Sequence, residues 1–131
     1  MVVQPVPTHK LKIKDDEGSR QFTLKDATYS IGRSPGCDIQ LFSLFVSRRQ
    51  ATLEKGRHED GSYYYQIIDG DLQGKPSCNG LLVNGRKIKA HILEDKDEIV
   101  FAPQVSAIYY LERELIDEFD ITLINPNMVG E

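Results

Sequence analysis

Residues 45–53 read FVSRRQATL and set Ser47 beside two adjacent arginines, Arg48 and Arg49, just ahead of an apolar-alternating run. Neighbouring guanidiniums repel each other and resist burial, so they either face solvent or wait for an anion. A solvated face is the ordinary meaning of a charge run. Two further segments bear on the choice. Ile31-Gly32-Arg33 closes one strand-like run, with Gly32 free to bend and Arg33 projecting from the edge, and Ser77-Cys78-Asn79-Gly80 precedes another. An arginine fork, a hydroxyl and a second cation meeting at one spot would hold a phosphate dianion through charge-assisted hydrogen bonds. An asparagine amide presents both a donor and an acceptor, which suits gripping a peptide main chain.

Enzyme chemistry finds no comparable set. GDLQGKPS at 70–77 superficially suggests a phosphate loop, but only three residues separate Gly70 from Gly74, and Pro76 breaks the helix start such a loop needs. There is no G-x-S-x-G elbow and no H-E-x-x-H, and His9, His58 and His91 are isolated, which makes them surface or structural histidines. Asp69 and Asp71 read as turn residues in a glycine-containing loop. No acid, base and nucleophile can be named together, so neither an enzyme, a metal site nor a cofactor is expected.

The elements that must position Arg33, Ser47 and Asn79 are short alternating runs: LKIK (11–14), QFTL (21–24), TYSI (28–31), ATLE (51–54), YYYQII (63–68), LLV (81–83), KIKA (87–90), EIVF (98–101) and SAIYYL (106–111). Their spacing predicts an all-β sandwich or barrel. Turn chemistry separates them, and LLVNGRKI reads as a two-residue hairpin with Asn84 and Gly85 at positive φ. Two breaks are long, Asp38 to Arg49 and Asp69 to Leu81, and long loops on a rigid sandwich often carry function. Tyr63, Tyr64 and Tyr65 look like cross-strand packing.

At 131 residues the chain fits one domain with a real core, without help from metals or disulfides. Cys37 and Cys78 lack the spacing of a zinc or redox motif and are expected as reduced, partly buried thiols in the cytoplasm. No apolar run approaches the roughly 20 residues of a membrane span, and Met1 to Lys10 do not resemble a signal peptide. The net charge of −4 argues against a general nucleic-acid binder. That charge is uneven, with fifteen Lys/Arg against fourteen Asp/Glu over residues 1–111 and one arginine against six acids over 112–131. An acidic tail able to cover or compete for the cationic loops is one expectation. Docking is another, since Leu115, Ile116, Phe119 and Ile121 are apolar.

The ordered set IGRSPGCDIQL, VSRRQA, SCNG, VNGRKI and DKDEIVF resembles the forkhead-associated (FHA) family, a phosphothreonine-binding β-sandwich whose pattern is G-R, S-R/K-x-H, S-x-N-G and a second N-G. The likeness covers about residues 10–111, with residues 1–9 as an N-terminal tail and 112–131 as an acidic extension. It implies a sandwich of two twisted, mainly antiparallel sheets with ligand loops at one end. On this resemblance Arg33 and Ser47 bind the phosphate, Arg48 adds a second positive contact and Asn79 holds the peptide backbone beside the phosphothreonine. Gly32, Gln50, Ser77 and Gly80 would support the loops, while Arg49 would point away by strand alternation. The implied role is a non-enzymatic recognition module for a phosphothreonine-containing protein, downstream of a Ser/Thr kinase, with neither nucleic acid nor membrane as partner.

Two departures from the pattern stand out. Gln50 occupies the position where the family usually has a histidine bracing the loops, and Leu81 replaces the usual threonine after Asn-Gly. A glutamine is more flexible than an imidazole, so Gln50→His would preserve or modestly tighten binding. A second reading follows from the same position: a scaffold that binds its partner independently of phosphorylation, its phosphate site weakened at Gln50.

Overall fold

The computed structural model describes residues 6–113. Eleven strands follow in order: β1 (Thr8–Asp15), β2 (Gly18–Leu24), β3 (Thr28–Gly32), β4 (Ile39–Gln40), β5 (Ala51–Arg57), β6 (Tyr63–Asp69), β7 (Leu82–Val83), β8 (Arg86–Lys87), β9 (Ala90–Ile92), β10 (Glu98–Ala102) and β11 (Val105–Glu112). They form a six-stranded sheet, β2-β1-β11-β10-β7-β8, and a five-stranded sheet, β4-β3-β5-β6-β9. Every pairing is antiparallel except β3 with β4. Of the sandwich or barrel expected from the spacing, the fold is the all-β sandwich.

Period-two alternation decides which side chains meet between the sheets. In β1, His9, Leu11, Ile13 and Asp15 are buried while the intervening residues face out. Leu11, Ile13, Ile99, Phe101, Ala107 and Tyr109 from one sheet pack against Ile31, Ala51, Leu53, Tyr65 and Ile67 from the other. The turn at Asn84-Gly85 has φ of 52° and 83°, which sets Val83 opposite Arg86 as the hairpin reading requires.

Two elements differ from the sequence expectation. KIKA was expected as one strand, but the chain divides there: Arg86 and Lys87 complete the hairpin in the six-stranded sheet, whereas Ala90–Ile92 pair with β6 in the other. Crossing between sheets within so few residues leaves no uninterrupted run. β4 has only two residues, too few for alternation to register, and it pairs in parallel with the end of β3.

β3 ends and β5 begins at the same end of the sandwich, where β6 also runs out at Asp69. The β3–β4, β4–β5 and β6–β7 loops therefore leave from one edge. Thr8 pairs with Glu112 at the opposite end. Residues 114–131, and with them the expectations of a docked or competing acidic tail, lie outside the described residues. No helix among the described residues is long and apolar enough to cross a membrane.

Candidate functional site

Arg33 follows directly after β3, and its main chain is fixed before its side chain does anything. Arg33 N donates to Ser47 O at 3.0 Å, and Ser34 N donates to Arg48 O at 3.3 Å, so the β3–β4 loop is laced to the β4–β5 loop. The approach needs a glycine. A Cβ on Gly32 would sit 2.1 Å from Arg48 O, closer than any non-bonded pair tolerates. Arg33 Nε donates to Val46 O at 3.1 Å, which holds the guanidinium of this exposed residue and does not use its two terminal NH2 groups. Those groups are the fork suited to an anionic oxygen pair.

Ser47 joins the same spot to the third loop. Its Oγ accepts from Cys78 N at 2.8 Å, which uses one lone pair and leaves the hydroxyl proton to donate elsewhere. Asn79 Nδ2 donates to Phe45 O at 3.2 Å, so one amide proton and the whole Oδ1 remain unengaged at the surface. Arg48 is exposed, with its carbonyl held by Ser34 N and by the Cys37 thiol at 3.3 Å. The expected contact residues Arg33, Ser47, Arg48 and Asn79 thus come from three loops meeting at one end.

The expected supporting residues lie beneath. Gln50 is fully buried and all its hydrogens and its oxygen are used: Oε1 accepts from Ser47 N at 2.8 Å, while Nε2 donates to Gly80 O at 2.8 Å and Phe101 O at 3.0 Å. One side chain therefore ties the second loop, the third loop and β10 together. The flexibility expected of a glutamine is removed by burial and three bonds. Ser77 Oγ donates to Asp69 Oδ1 and accepts from Gly80 N at 3.0 Å, closing the third loop on itself. Gly80 has φ of 82°, a left-handed conformation that favours glycine.

A cleft of about 250 Å³ opens over these loops, lined by Ser47, Arg48, Arg49, Asp71, Lys75, Pro76 and Cys78. Two expectations change here. Arg49 does not turn away from Arg48, because β5 opens only at Ala51 and residues 47–50 are loop, where strand alternation has no hold. Cys78 is an exposed free thiol on the cleft, not a partly buried one, whereas Cys37 is buried. Lys75 is the cation that sequence reasoning passed over, since its loop was weighed only as a nucleotide motif. The ion pairs among the described residues, Lys10–Glu112, Arg20–Asp15 and His91–Asp97, involve none of Arg33, Arg48, Arg49 and Lys75. Among the described residues, the cations at this end of the sandwich thus have no carboxylate partner.

Asp15 and Arg20 also went unnoticed, and their roles depend on contacts that no motif records. Asp15 Oδ2 accepts from Arg20 at 2.7 Å and from Phe42 N at 2.9 Å, and Arg20 reaches Gln40 O at 2.7 Å. This pair pins the start of the β4–β5 loop to the other sheet. The histidines lie elsewhere: His9 bonds the Tyr109 hydroxyl, His91 pairs with Asp97 at 2.9 Å, and His58 packs on Tyr64. Burial pushes the Asp97 carboxyl up, but hydrogen bonds from Glu94 N, Asn84 and His91 outweigh it and hold the group below its ordinary value.

A β-sandwich with three cation-bearing loops braced at one end defines a recognition domain of the FHA class. The FHA-domain family model matches residues 29–102, more than half of the chain, and the chain belongs to the FHA family, whose domains are phosphopeptide-binding interaction modules and not enzymes. Among solved structures, the Slr1951 protein from Synechocystis sp. is 48% identical, with a TM-score of 0.76 over 80% of this chain and 99% of that one. The yeast Dun1 FHA domain, in complex with a doubly phosphorylated (pT) peptide derived from Rad53, shares the fold at 21% identity and a TM-score of 0.64, over 88% of this chain and 82% of that one. The uncharacterized protein sll1895 of Synechocystis sp. (strain ATCC 27184 / PCC 6803 / Kazusa) is 34% identical over 101 residues, which span 77% of this chain but only 14% of that protein's length.

Proposed function

We propose that this domain recognises a phosphothreonine segment of a partner protein, in the cytoplasm and downstream of a Ser/Thr kinase. Arg33 and Ser47 take the phosphate oxygens, Arg48 supplies a second positive contact, and Asn79 holds the peptide main chain beside the phosphothreonine. The observation that carries this reading is the junction at Ser47. Its hydroxyl is oriented by Cys78 N, its amide by Gln50, and its carbonyl by Arg33 N, while the Arg33 guanidinium is held by Val46 O, so a hydroxyl donor and one cation are preset on neighbouring loops. Preset donors bind an anion without the ordering cost that free side chains would incur. The bound form in the neighbouring yeast domain, a phosphorylated peptide, supports the same ligand class.

Titrating the chain with a phosphothreonine peptide and its unphosphorylated twin tests the reading. Phosphate-dependent binding is expected, with phosphothreonine ahead of phosphoserine because one seated methyl contributes about 1–3 kcal/mol. Equal binding of the twins would instead assign the domain to partners that carry no phosphate.

A further inference from the structure

The outward face of the six-stranded sheet carries charge and apolar surface side by side. Alternation in β1 turns Lys10, Lys12 and Lys14 outward in a line, and the register sets them beside Tyr110, Ile108 and Ser106 of β11. Val100 continues the row from Ser106 to Leu82, which is 36% exposed. Val100, Ile108 and Tyr110 are half-buried, yet none belongs to the core cluster or packs against it. Lys10 pairs with Glu112 at 2.8 Å, whereas Lys12 and Lys14 are exposed and form no ion pair among the described residues. An apolar strip beside unpaired cations fits a segment that carries both carboxylates and apolar side chains.

The chain supplies such a segment where β11 ends. Glu112 already reaches this face through Lys10, and RELIDEFD, which follows it, holds Glu114, Asp117, Glu118 and Asp120 together with Leu115, Ile116 and Phe119. We infer that residues 114–121 dock on this outward face, with carboxylates on Lys12 and Lys14 and apolar side chains on Val100, Ile108 and Tyr110. Length favours the face over the cationic loops. Thr8 lies opposite Glu112, so Lys10, Lys12 and Lys14 stand about 7, 13 and 20 Å along β1. Asp117, Glu118 and Asp120 lie at most about 17, 20 and 27 Å of extended chain from Glu112, and the turn that reverses the chain uses part of that span. It covers the lysines, whereas the β4–β5 loop starts level with Asp15, which holds Phe42 N about 23 Å along β1. An acidic segment of another protein would match the same face, but the tether gives the chain's own segment the higher effective concentration. Docked there, it leaves the proposed ligand loops open, so the inference does not depend on the phosphopeptide reading.

Hydrogen–deuterium exchange on the full chain at low salt tests this, with amides 114–121 followed in the native protein, in Lys12→Glu/Lys14→Glu, in Asp117→Lys/Glu118→Lys and in the combination of the two. The native segment should exchange about tenfold or more slowly than the same sequence as a free peptide, and it should lose that protection in either reversal. The combination should restore it, because the pairs re-form with their signs exchanged. Restoration also shows that the loss was not misfolding. Native amides that exchange as fast as the free peptide overturn the inference. So does protection that survives both reversals, or a loss that the combination does not reverse. Protection that falls on dilution places the segment on a second copy and overturns docking within one chain. Loss of protection in Arg48→Glu/Arg49→Glu, with Lys12→Glu/Lys14→Glu still protected, assigns the segment to the cationic loops and overturns the inference too.

Discussion

At the loop end of the sandwich a fully buried polar group is Gln50, whose amide meets only main-chain groups, from Ser47, Gly80 and Phe101. At the opposite end it is His9, whose ring meets the Tyr109 hydroxyl and packs edge-on to Tyr65, 5.2 Å between centroids. The first arrangement fixes backbone and leaves the cations of the same loops in solvent. The second fixes side chains and places a titratable group inside the core. A neutral amide serves the loop end well, because it fixes the peptide units of the loops without adding a charge of its own beneath the proposed phosphate site. The far end has no such constraint, and it answers to pH instead.

Removing the amide tests the first half of this contrast most severely. Gln50→Leu leaves Ser47 N, Gly80 O and Phe101 O buried without partners, each costing about 1–3 kcal/mol. Thermal unfolding should shift down by roughly 10 °C or more, and phosphopeptide affinity should fall with it. A stable variant with unchanged affinity would show that the loops hold their shape without the amide.

Arg33→Ala should separate affinity from stability. Arg33 is exposed and gives the fold one side-chain bond, to Val46 O, so melting should scarcely move. Charge-assisted bonds contribute about 1.5–3 kcal/mol, which sets the expected loss of phosphopeptide affinity at tenfold or more. Unchanged affinity would remove Arg33 from the site, and a collapse in melting temperature would make it structural.

pH should divide the two ends. Burial lowers the His9 pKa below its usual 6.5, and the nearby Lys55 and Arg113 charges lower it further. The unfolded chain then binds the proton more readily than the folded one. Stability is therefore full above about pH 6.5 and is lost as pH falls towards the folded value, by at most about 1.4 kcal/mol per pH unit. His9→Asn, which keeps a polar atom near Nδ1 for Tyr109, should flatten that decline. Affinity should weaken separately below about pH 6, where the phosphate becomes a monoanion, in native chain and variant alike. If His9→Asn abolishes the pH dependence of binding as well, the two ends are coupled and the contrast fails.

How far the sequence reveals each end follows from where the information lies. Period-two runs made the strands legible, and Asn84-Gly85 fixed a hairpin because its positive φ values have few substitutes. Arg33, Ser47, Arg48 and Asn79 could be named because residue type and order are local properties. The geometry that joins them was not legible. Two of the three bonds of Gln50 span 30 and 51 residues of chain, to Gly80 and Phe101, and Arg20 reaches Gln40, next to the β4–β5 loop, across the sandwich from the other sheet. Arg49 was misread because alternation was extended ahead of the start of β5 at Ala51.

The smallest expected effect concerns the choice of group at position 50. From sequence alone, Gln50→His exchanges a flexible side chain for a stiffer one and should hold or tighten binding. The hydrogen bonds reverse that expectation. A glutamine amide has one acceptor and two donor hydrogens, which match Ser47 N, Gly80 O and Phe101 O one for one. A neutral imidazole offers one acceptor and one donor, so with this backbone one carbonyl loses its partner. An imidazolium offers two donors and would leave Ser47 N unpaired, besides burying a charge. The variant should therefore melt a few degrees lower, bind phosphopeptide equally or a few fold more weakly, and gain a pH dependence of melting beyond the one His9 gives the native chain and Arg33→Ala alike. Tighter binding at unchanged melting temperature would mean that the loops re-form around an imidazole, and the amide would then be one solution among several for bracing this end of the sandwich.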